Sequence, residues 1–457
     1  MKSYDAIIIG FGKGGKTLAG ALAASGKRVA VVEQSDKMYG GTCINVGCLP
    51  SKSLKTSAEK SAYEGGTFED KAKRYSAAVN ERERLTAMLR EKNYHKLSDN
   101  ENIDIINAHG GFVGKNDIRL TFSDGQTKTV TASEIFINTG ATPRSLNIKG
   151  ISDSRFVFSS SGLMELKELP KTLVIIGGGY IGMEFASMYA NFGSKVTVIQ
   201  NEAVFLPRED KEIAEAVLKR LEALGVTVIF EGNTKSIQDE NDYTVITVNT
   251  KDGEIKLEAE AVLTAVGRIP NTQNLGLEAA GIKINDHGAV ITDEHLKTTN
   301  PSVYAMGDVV GGLQFTYISL DDFRIVKSAL SGDLKRTINN RGEVPYSVFL
   351  YPPFSRIGLT EEQARKKGYN IKVASMPASA IPKAQVIKET AGILKAIVDA
   401  DSEEILGVHL FCAESHEIIN IIKTAMDAHL KYTVLRDMIF THPTMAEGFN
   451  DLFSMIK

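Results

Sequence analysis

Asp5-Ala6-Ile7-Ile8-Ile9-Gly10-Phe11-Gly12-Lys13-Gly14-Gly15 begins four residues into the chain, and its reading decides the fold. The run Asp5 to Ile9 reads as a buried parallel strand. Glycines 10, 12 and 15 follow at once, and an alanine-rich helix is expected from about Lys16 to Ser25. A second strand, Arg28 to Val32, leads to Glu33. Strand, glycines, helix and strand-end acid in this order build a dinucleotide site. The glycines permit a tight turn and close approach of a diphosphate, the helix N-terminus meets its charge, and the acid takes ribose hydroxyls.

The same order recurs in Leu173-Val174-Ile175-Ile176-Gly177-Gly178-Gly179-Tyr180-Ile181-Gly182, with a helix expected through Asn191 and a strand from Lys195 to Ile199. Gly10 maps to Gly177 and Glu33 to Gln200, so one chain carries two dinucleotide folds. Residues 53–98, rich in Lys, Glu and Ala, are expected to form long helices. Ile135-Phe136-Ile137-Asn138-Thr139-Gly140 and Val262-Leu263-Thr264-Ala265-Val266-Gly267-Arg268 read as short strands ending in glycine, where the chain crosses between the folds. From about Pro345 strands and helices alternate without a phosphate loop, which marks a separate interface domain.

Two of the three cysteines lie in Gly40-Gly41-Thr42-Cys43-Ile44-Asn45-Val46-Gly47-Cys48-Leu49-Pro50-Ser51-Lys52. A close pair beside a nucleotide site suits a dithiol that gains and loses electrons better than a structural disulfide. Two dinucleotide folds then have distinct uses, one for a flavin and one for a nicotinamide donor. The length of 457 residues suggests about three domains. With 43% hydrophobic residues, 24% charged residues and a net charge of −3, the composition is that of an ordinary soluble globular protein. It offers no basic footprint for nucleic acid or an anionic membrane. No apolar run approaches the about 18 residues that span a bilayer, and a cytosolic enzyme is expected.

With Val303-Tyr304-Ala305-Met306-Gly307-Asp308 and His442-Pro443-Thr444-Met445-Ala446-Glu447, these segments resemble the class I pyridine nucleotide-disulfide oxidoreductases along the whole chain. That is the family of dihydrolipoamide dehydrogenase, glutathione reductase and mercuric reductase. The resemblance implies an α/β chain with two Rossmann-like domains, for FAD and NAD(P)H, and a C-terminal α+β dimerisation domain. The implied ranges are 1–148 and 271–344 for FAD, 149–270 for NAD(P)H, and 345–457 for the interface. Cys43 would be the interchange thiol that faces substrate, and Cys48 the charge-transfer thiol against the flavin. Lys52 resembles the lysine near the reactive flavin nitrogen, Glu184 its ion-pair partner, and Tyr180 the residue covering the nicotinamide pocket. His442 would be the acid-base group, oriented by Glu447 and supplied to the partner's site in a homodimer.

The FAD contacts implied are Gly10, Gly12, Gly15, Glu33, Gly41, Thr42, Lys52, Thr139, Gly140, Gly307 and Asp308. The helix opening at Phe315 would add its N-terminus, where unpaired amides favour a reduced, anionic ring. The donor side would use Gly177, Gly179, Tyr180, Gly182, Gln200 and Gly267. Gln200 is uncharged where an acid would repel a 2′-phosphate, and the nearest cation downstream is Arg208. NADH and NADPH are both expected to serve.

Within the family, Phe315-Thr316-Tyr317-Ile318-Ser319-Leu320-Asp321-Asp322, Pro345 to Phe349, Pro352 to Arg356 and Phe440 to Phe453 resemble the reactive-chlorine-resistance branch, which includes hypothiocyanous acid reductases. The sequence ends Ser454-Met455-Ile456-Lys457 without a cysteine pair, and no cysteine-bearing segment precedes the first strand. A small oxidant reaching Cys43 directly is therefore expected, hypothiocyanous acid first, with Cu(II) or another metal ion second and lipoamide or glutathione third. A thiol sensor without turnover is the alternative of another class. His409, Cys412 and His416 have a spacing that suggests metal. On a strand over 405–411, however, an offset of three puts His409 and Cys412 on opposite faces, so no metal site is expected and Cys412 is read as buried and inert.

Overall fold

In the computed structural model, which describes residues 2–457, the opening run forms the strand Lys2–Ile9. Parallel neighbours flank it, Val29–Glu33 on one edge and Thr127–Ile137 on the other. Ile7 and Ile9 pack with Val32, Ile135 and Val303 on one face, while Ala6 and Ile8 pack with Leu18, Val31 and Phe136 on the other. Burial on both faces explains why the run is continuously apolar. Each fully buried aliphatic side chain there contributes roughly 1.5–3 kcal/mol.

The chain divides into two compact units. The first comprises Met1–Leu54, Ala77–Ser145 and Gly267–Arg341. Its sheet runs in the order Ile103–Asn107, Val29–Glu33, Lys2–Ile9, Thr127–Ile137, Asp117–Thr121, His109–Phe112. The long strand Thr127–Ile137 shares its far edge. Asp117–Thr121 pairs antiparallel along residues 127–131, and Val303–Ala305 pairs parallel along residues 135–137. That second pairing brings Gly307 and Asp308 to the C-terminal end of the sheet, where ligands of parallel sheets bind.

The first helix is Lys13–Ala24, three residues ahead of the expected start. Glycines favour turns over helix, but here side chains from elsewhere receive the amides: Gly14 N–H donates to Ser319 Oγ (3.0 Å) and Gly15 N–H to Asn138 Oδ1 (2.9 Å). The second strand is Val29–Glu33, one residue later than read, because Glu33 remains in register with Asn107. The expected long helices are Cys48–Glu64 and Phe68–Ser98, and the later helix is Thr316–Ser331 with Phe315 at its N-cap.

The second unit comprises Lys55–Ser76, Leu146–Val266 and Gly342–Lys457. Its parallel sheet runs Thr227–Ile229, Lys195–Ile199, Thr172–Ile176, Ala261–Thr264, Val157–Phe158. The C-terminal sheet is antiparallel, in the order Tyr346–Val348, Phe354–Gly358, Ile405–Phe411, Ile393–Asp399, Ile371–Pro377. The helix Gly448–Ser454 packs Phe449, Leu452 and Phe453 into its core with Leu394 and Leu410.

Lys395 is buried in that sheet and is balanced by carboxylates. Its Nζ lies 3.0 Å from Asp210, 2.8 Å from Glu212 and 2.8 Å from Glu361. The hydrogen bond from Lys395, with that from Arg365, holds the Glu361 carboxyl below its ordinary value of 4.5. A depressed carboxyl contributes stability above its unfolded pKa and loses it as pH falls through the folded one. Lys395→Met strands the buried Asp210 charge and should cost about 3–5 kcal/mol at neutral pH. Chemical unfolding followed against pH checks this: the gap between the two proteins should narrow below the ordinary glutamate value of 4.5.

Candidate active site

In the first unit the turn Gly10–Gly15 joins the first strand to the first helix. Gly10 has φ +103°, and a Cβ there would lie 2.3 Å from the Asn138 carbonyl oxygen, so no other residue fits. The helix N-cap, Gly12, has no side-chain cap. Asn138 and Ser319 take the Gly15 and Gly14 amides. Among the described residues the Gly12 and Lys13 amides have no protein acceptor. Glu33, at the end of the second strand, accepts from Phe11 N–H (3.1 Å) and Ser35 N–H (3.2 Å). Burial raises its pKa against those bonds. Free amides at a helix N-terminus, a turn with no room for Cβ and a carboxylate at the strand end fit a diphosphate and its ribose.

Gly307 N–H donates to Asp322 (2.7 Å), itself paired with Arg341 (2.9 Å). Asp308 is pushed toward its protonated form by burial and pulled back by Arg268. Arg268 donates to the Ala141 carbonyl and belongs to the ribbon Arg268–Pro270 with Ala141–Pro143. Thr139 donates to Asn271 O (2.8 Å), and Asn271 N–H donates to Gly140 O (2.9 Å), so Thr139, Gly140 and Gly267 all lie at this crossing. Phe315 stacks on Tyr317, with centroids 5.1 Å apart.

The dithiol loop presses on the phosphate turn. Gly41 has φ +79°, and a Cβ on it would stand 2.7 Å from Gly12 Cα. Thr42–Asn45 forms one helical turn, and Cys48 opens the helix Cys48–Glu64, where the positive end of the helix dipole favours a thiolate. Asn45 donates to Tyr39 O and Gly41 O and accepts from Arg90 Nε (2.8 Å), which fixes the loop to the helix Phe68–Ser98. Cys43 and Cys48 stand as the reduced pair, Cys43 half-buried and Cys48 exposed. A hydrogen bond with Cys48, then burial, pushes the Cys43 thiol well above the usual range. Thr316 and Lys16 oppose this. Thr316 Oγ1 lies 3.6 Å from Cys48 Sγ, so one hydroxyl serves both sulfurs.

In the second unit Gly177 and Gly179 lie in the turn between Thr172–Ile176 and the helix Tyr180–Phe192, and Gly182 in the first turn of that helix. Gln200 follows the next strand, Lys195–Ile199, and is buried, with Nε2 donating to Val204 O (3.1 Å), while the Arg208 side chain is exposed. Tyr180 donates its hydroxyl to Glu209, as does Tyr346 (2.6 Å), and Arg356 Nη1 lies 3.3 Å from the other Glu209 oxygen. Glu184 accepts the Phe349 amide (2.8 Å). His442 Nδ1 lies 2.8 Å from Glu447 Oε2, with the imidazole 69% exposed. With Nδ1–H donated to the carboxylate, Nε2 carries the lone pair and is free to take a proton.

His409 does not gather a metal set. Its Nε2 meets Leu359 O at 3.0 Å, and burial, then Arg356, lowers its pKa to about 4. Cys412 is enclosed in the C-terminal core, and burial raises its thiol. Among the described residues no three His, Cys, Asp or Glu side chains are arranged to hold a metal ion.

Residues 4–322 match the family described as pyridine nucleotide-disulphide oxidoreductase, and residues 344–453 match its dimerisation domain. The chain belongs to the pyridine nucleotide-disulphide oxidoreductases. It is 48% identical to the probable pyridine nucleotide-disulfide oxidoreductase RclA of Escherichia coli (strain K12), over 100% of each chain. A solved structure described as the Cu(II) complex of HOCl-induced flavoprotein disulfide reductase RclA from Escherichia coli matches with a TM-score of 0.94 and 47% identity, covering 100% of both chains. Mercuric reductase of Staphylococcus aureus is 34% identical over 97% of this chain and 81% of its own.

As a member of this family the chain is a flavoprotein oxidoreductase whose cofactors are FAD and NADH or NADPH. Family, α/β fold and cofactors agree with the sequence reading. That reading passed over Thr316, Asn138, Asn45, Arg90, Glu209 and Arg356. Thr316 lay within a quoted motif, but its reach to both sulfurs is a product of tertiary structure. Thr316→Val should remove a donor to the Cys43 thiolate and raise that thiol further. Alkylation of the reduced enzyme at fixed pH should then slow about tenfold for each unit of rise. An unchanged alkylation rate would assign the hydroxyl to packing alone.

Proposed function

We propose that this chain uses NADH or NADPH to reduce hypothiocyanous acid, a small sulfenylating oxidant, through Cys43 and Cys48, and that it works as a cytosolic homodimer in oxidant defence. The observation that carries the reading is the hydrogen-bonded thiol pair at the rim of a dinucleotide cradle, one thiol half-buried and the other at a helix N-terminus. Full-length similarity to an HOCl-induced flavoprotein disulfide reductase supports the oxidant class.

In this reading residues 1–148 and 271–344 hold FAD through Gly10, Gly12, Gly15, Glu33, Gly41, Thr42, Lys52, Thr139, Gly140, Gly307, Asp308 and the N-terminus at Phe315. Residues 149–270 hold the nicotinamide donor through Gly177, Gly179, Tyr180, Gly182, Gln200 and, near the end of that stretch, Gly267. FAD bound there would supply the two-electron chemistry that links the nicotinamide donor to the Cys43–Cys48 disulfide, which opens to the dithiol on reduction. Lys52 and Glu184 set the charge near the cofactor. The Cys43 thiolate attacks the oxidant's sulfur: an S–S bond forms, the S–O bond breaks, and hydroxide leaves as water once protonated. Cys48 then attacks Cys43, expels thiocyanate and restores the disulfide. NAD(P)H and hypothiocyanous acid are thereby converted to NAD(P)+, thiocyanate and water.

Within its own protomer a hydrogen bond with Cys48 and burial push the Cys43 thiol up, so a base would assist the cycle, and we assign that role to His442. Its high exposure, beside Ile439 at 96% exposure and the exposed Val434, Met438 and Met455, suits presentation to a second copy across residues 345–457. Glu447 would orient the ring and support the imidazolium. The Cu(II) complex described for the Escherichia coli protein favours metal-ion reduction as the second reading.

Anaerobic NADH and NADPH consumption with hypothiocyanous acid, Cu(II), oxidised glutathione and lipoamide tests the substrate. Turnover should be fastest with hypothiocyanous acid and vanish in Cys43→Ser. Faster Cu(II) or disulfide turnover would sink the named oxidant. Co-expressed Cys43→Ser and His442→Ala protomers test the shared site. A mixed dimer should regain one intact site, whereas sites confined to single protomers would leave it inactive.

A further inference from the structure

The reaction chemistry makes no use of Glu209, yet three donors converge on its side chain, which is wholly buried. Its Oε1 accepts the hydroxyls of Tyr180 and of Tyr346 (2.6 Å), and its Oε2 lies 3.3 Å from Arg356 Nη1. Tyr346 and Arg356 stand opposite each other on paired strands of the C-terminal sheet. Arg356 is held further by Arg208 O (2.7 Å), Gly358 O (3.1 Å) and Gln363 Oε1 (2.7 Å). Asp210, the next residue, caps the helix Lys211–Ala223 and accepts from the buried Lys395 at 3.0 Å. Glu209 is therefore clamped by its partners and by its neighbour.

Tyr180 is held differently. It is the first residue of the helix Tyr180–Phe192 and follows Gly179, which has no side-chain cap and nothing within 4 Å of where a Cβ would stand. That open helix N-terminus suits the donor's diphosphate. The Tyr180 ring is half-buried, 5.7 Å from the Tyr346 ring, and its hydroxyl meets Glu209 and, at 3.5 Å, the Tyr346 hydroxyl. Burial, followed by the Glu209 charge, keeps both phenols protonated and so in the donor role. Tyr346 and Arg356 are strand residues fixed by the sheet, so Tyr180 is the partner able to turn away.

We infer that Glu209 is a positioning residue for the nicotinamide donor: it latches Tyr180 in its resting place, and the nicotinamide ring must break the Tyr180–Glu209 hydrogen bond to seat. This rests on reading Tyr180 as the cover of the nicotinamide pocket, and it concerns the donor half of the reaction alone, whichever oxidant follows. A ligand binds with lower apparent affinity to a site whose open state is seldom populated. A hydrogen bond to a carboxylate is stronger than one between neutral groups, so the closed state is favoured. Tyr346 competes with Tyr180 for the same oxygen and thereby loosens the latch.

Two probes that give up no hydride test this. Tetrahydro-NADH carries a nicotinamide-sized ring, and ADP-ribose lacks it. Titration calorimetry of each into the oxidised, FAD-loaded enzyme gives its Kd. Tyr180→Phe keeps the ring and removes the hydroxyl, so the tetrahydro-NADH Kd should fall about tenfold, the equivalent of one hydrogen bond to a charged group, while ADP-ribose keeps its Kd. Tyr346→Phe leaves Oε1 to Tyr180 alone and should raise the tetrahydro-NADH Kd about threefold, again without moving ADP-ribose. A purely structural role for the cluster would instead weaken both probes in both variants, and that result overturns the latch. Tyr180→Ala removes the ring and tests the cover itself. Tightening in Tyr180→Ala but not in Tyr180→Phe keeps the cover and overturns the latch. No tightening in either removes the cover and the latch together.

Discussion

The side chain of Asn138 is the constraint on which the flavin-type fold depends. Its oxygen accepts the Gly15 amide, and its nitrogen donates to Met306 O at 2.7 Å. One buried amide thus joins the end of the longest strand, the first helix and the segment that delivers Gly307 and Asp308. A buried amide deprived of one partner incurs its whole desolvation penalty, about 1–3 kcal/mol, so these three elements are fixed together. The close approach demanded at Gly10 and Gly41 follows from the same node: the turn is pinned against Asn138, and the dithiol loop is pressed against the turn.

The second unit solves the equivalent problem with charge. Tyr180, at the first helical position after its glycine turn, is tied through Glu209 to Tyr346 and Arg356 of the C-terminal sheet. The Glu209 side chain is fully buried, and burial followed by its charge keeps both phenols protonated. The tyrosine proposed to cover the nicotinamide is therefore held by the same stretch that matches the dimerisation domain. Any movement of Tyr180 must leave a buried carboxylate with one donor fewer.

What the sequence made legible was whatever depends on short spacing. Both glycine turns, the strand Lys195–Ile199 and the strand Ile405–Phe411 stand as read, because period and turn chemistry are local. The first helix began early because Ser319, some three hundred residues away, accepts an amide that local propensity would leave unpaired. The contacts of Thr316, Glu209 and Arg356 were not legible for the same reason: their partners are brought by the fold. The motif singles out Cys43 and Cys48, but it carries nothing of the electrostatics around Cys43, since Lys16 and Thr316 lie outside it in the sequence.

That electrostatic setting carries the last step. A thiol that must attack an electrophile has to spend time as thiolate, yet Cys48 and burial push Cys43 the other way, against Lys16 and Thr316. A protonated resting thiol is less exposed to indiscriminate oxidation than a standing thiolate. If the base comes from the partner's His442, nucleophilicity is conferred only in the assembled dimer, and Lys16 favours the ionised thiol once it forms.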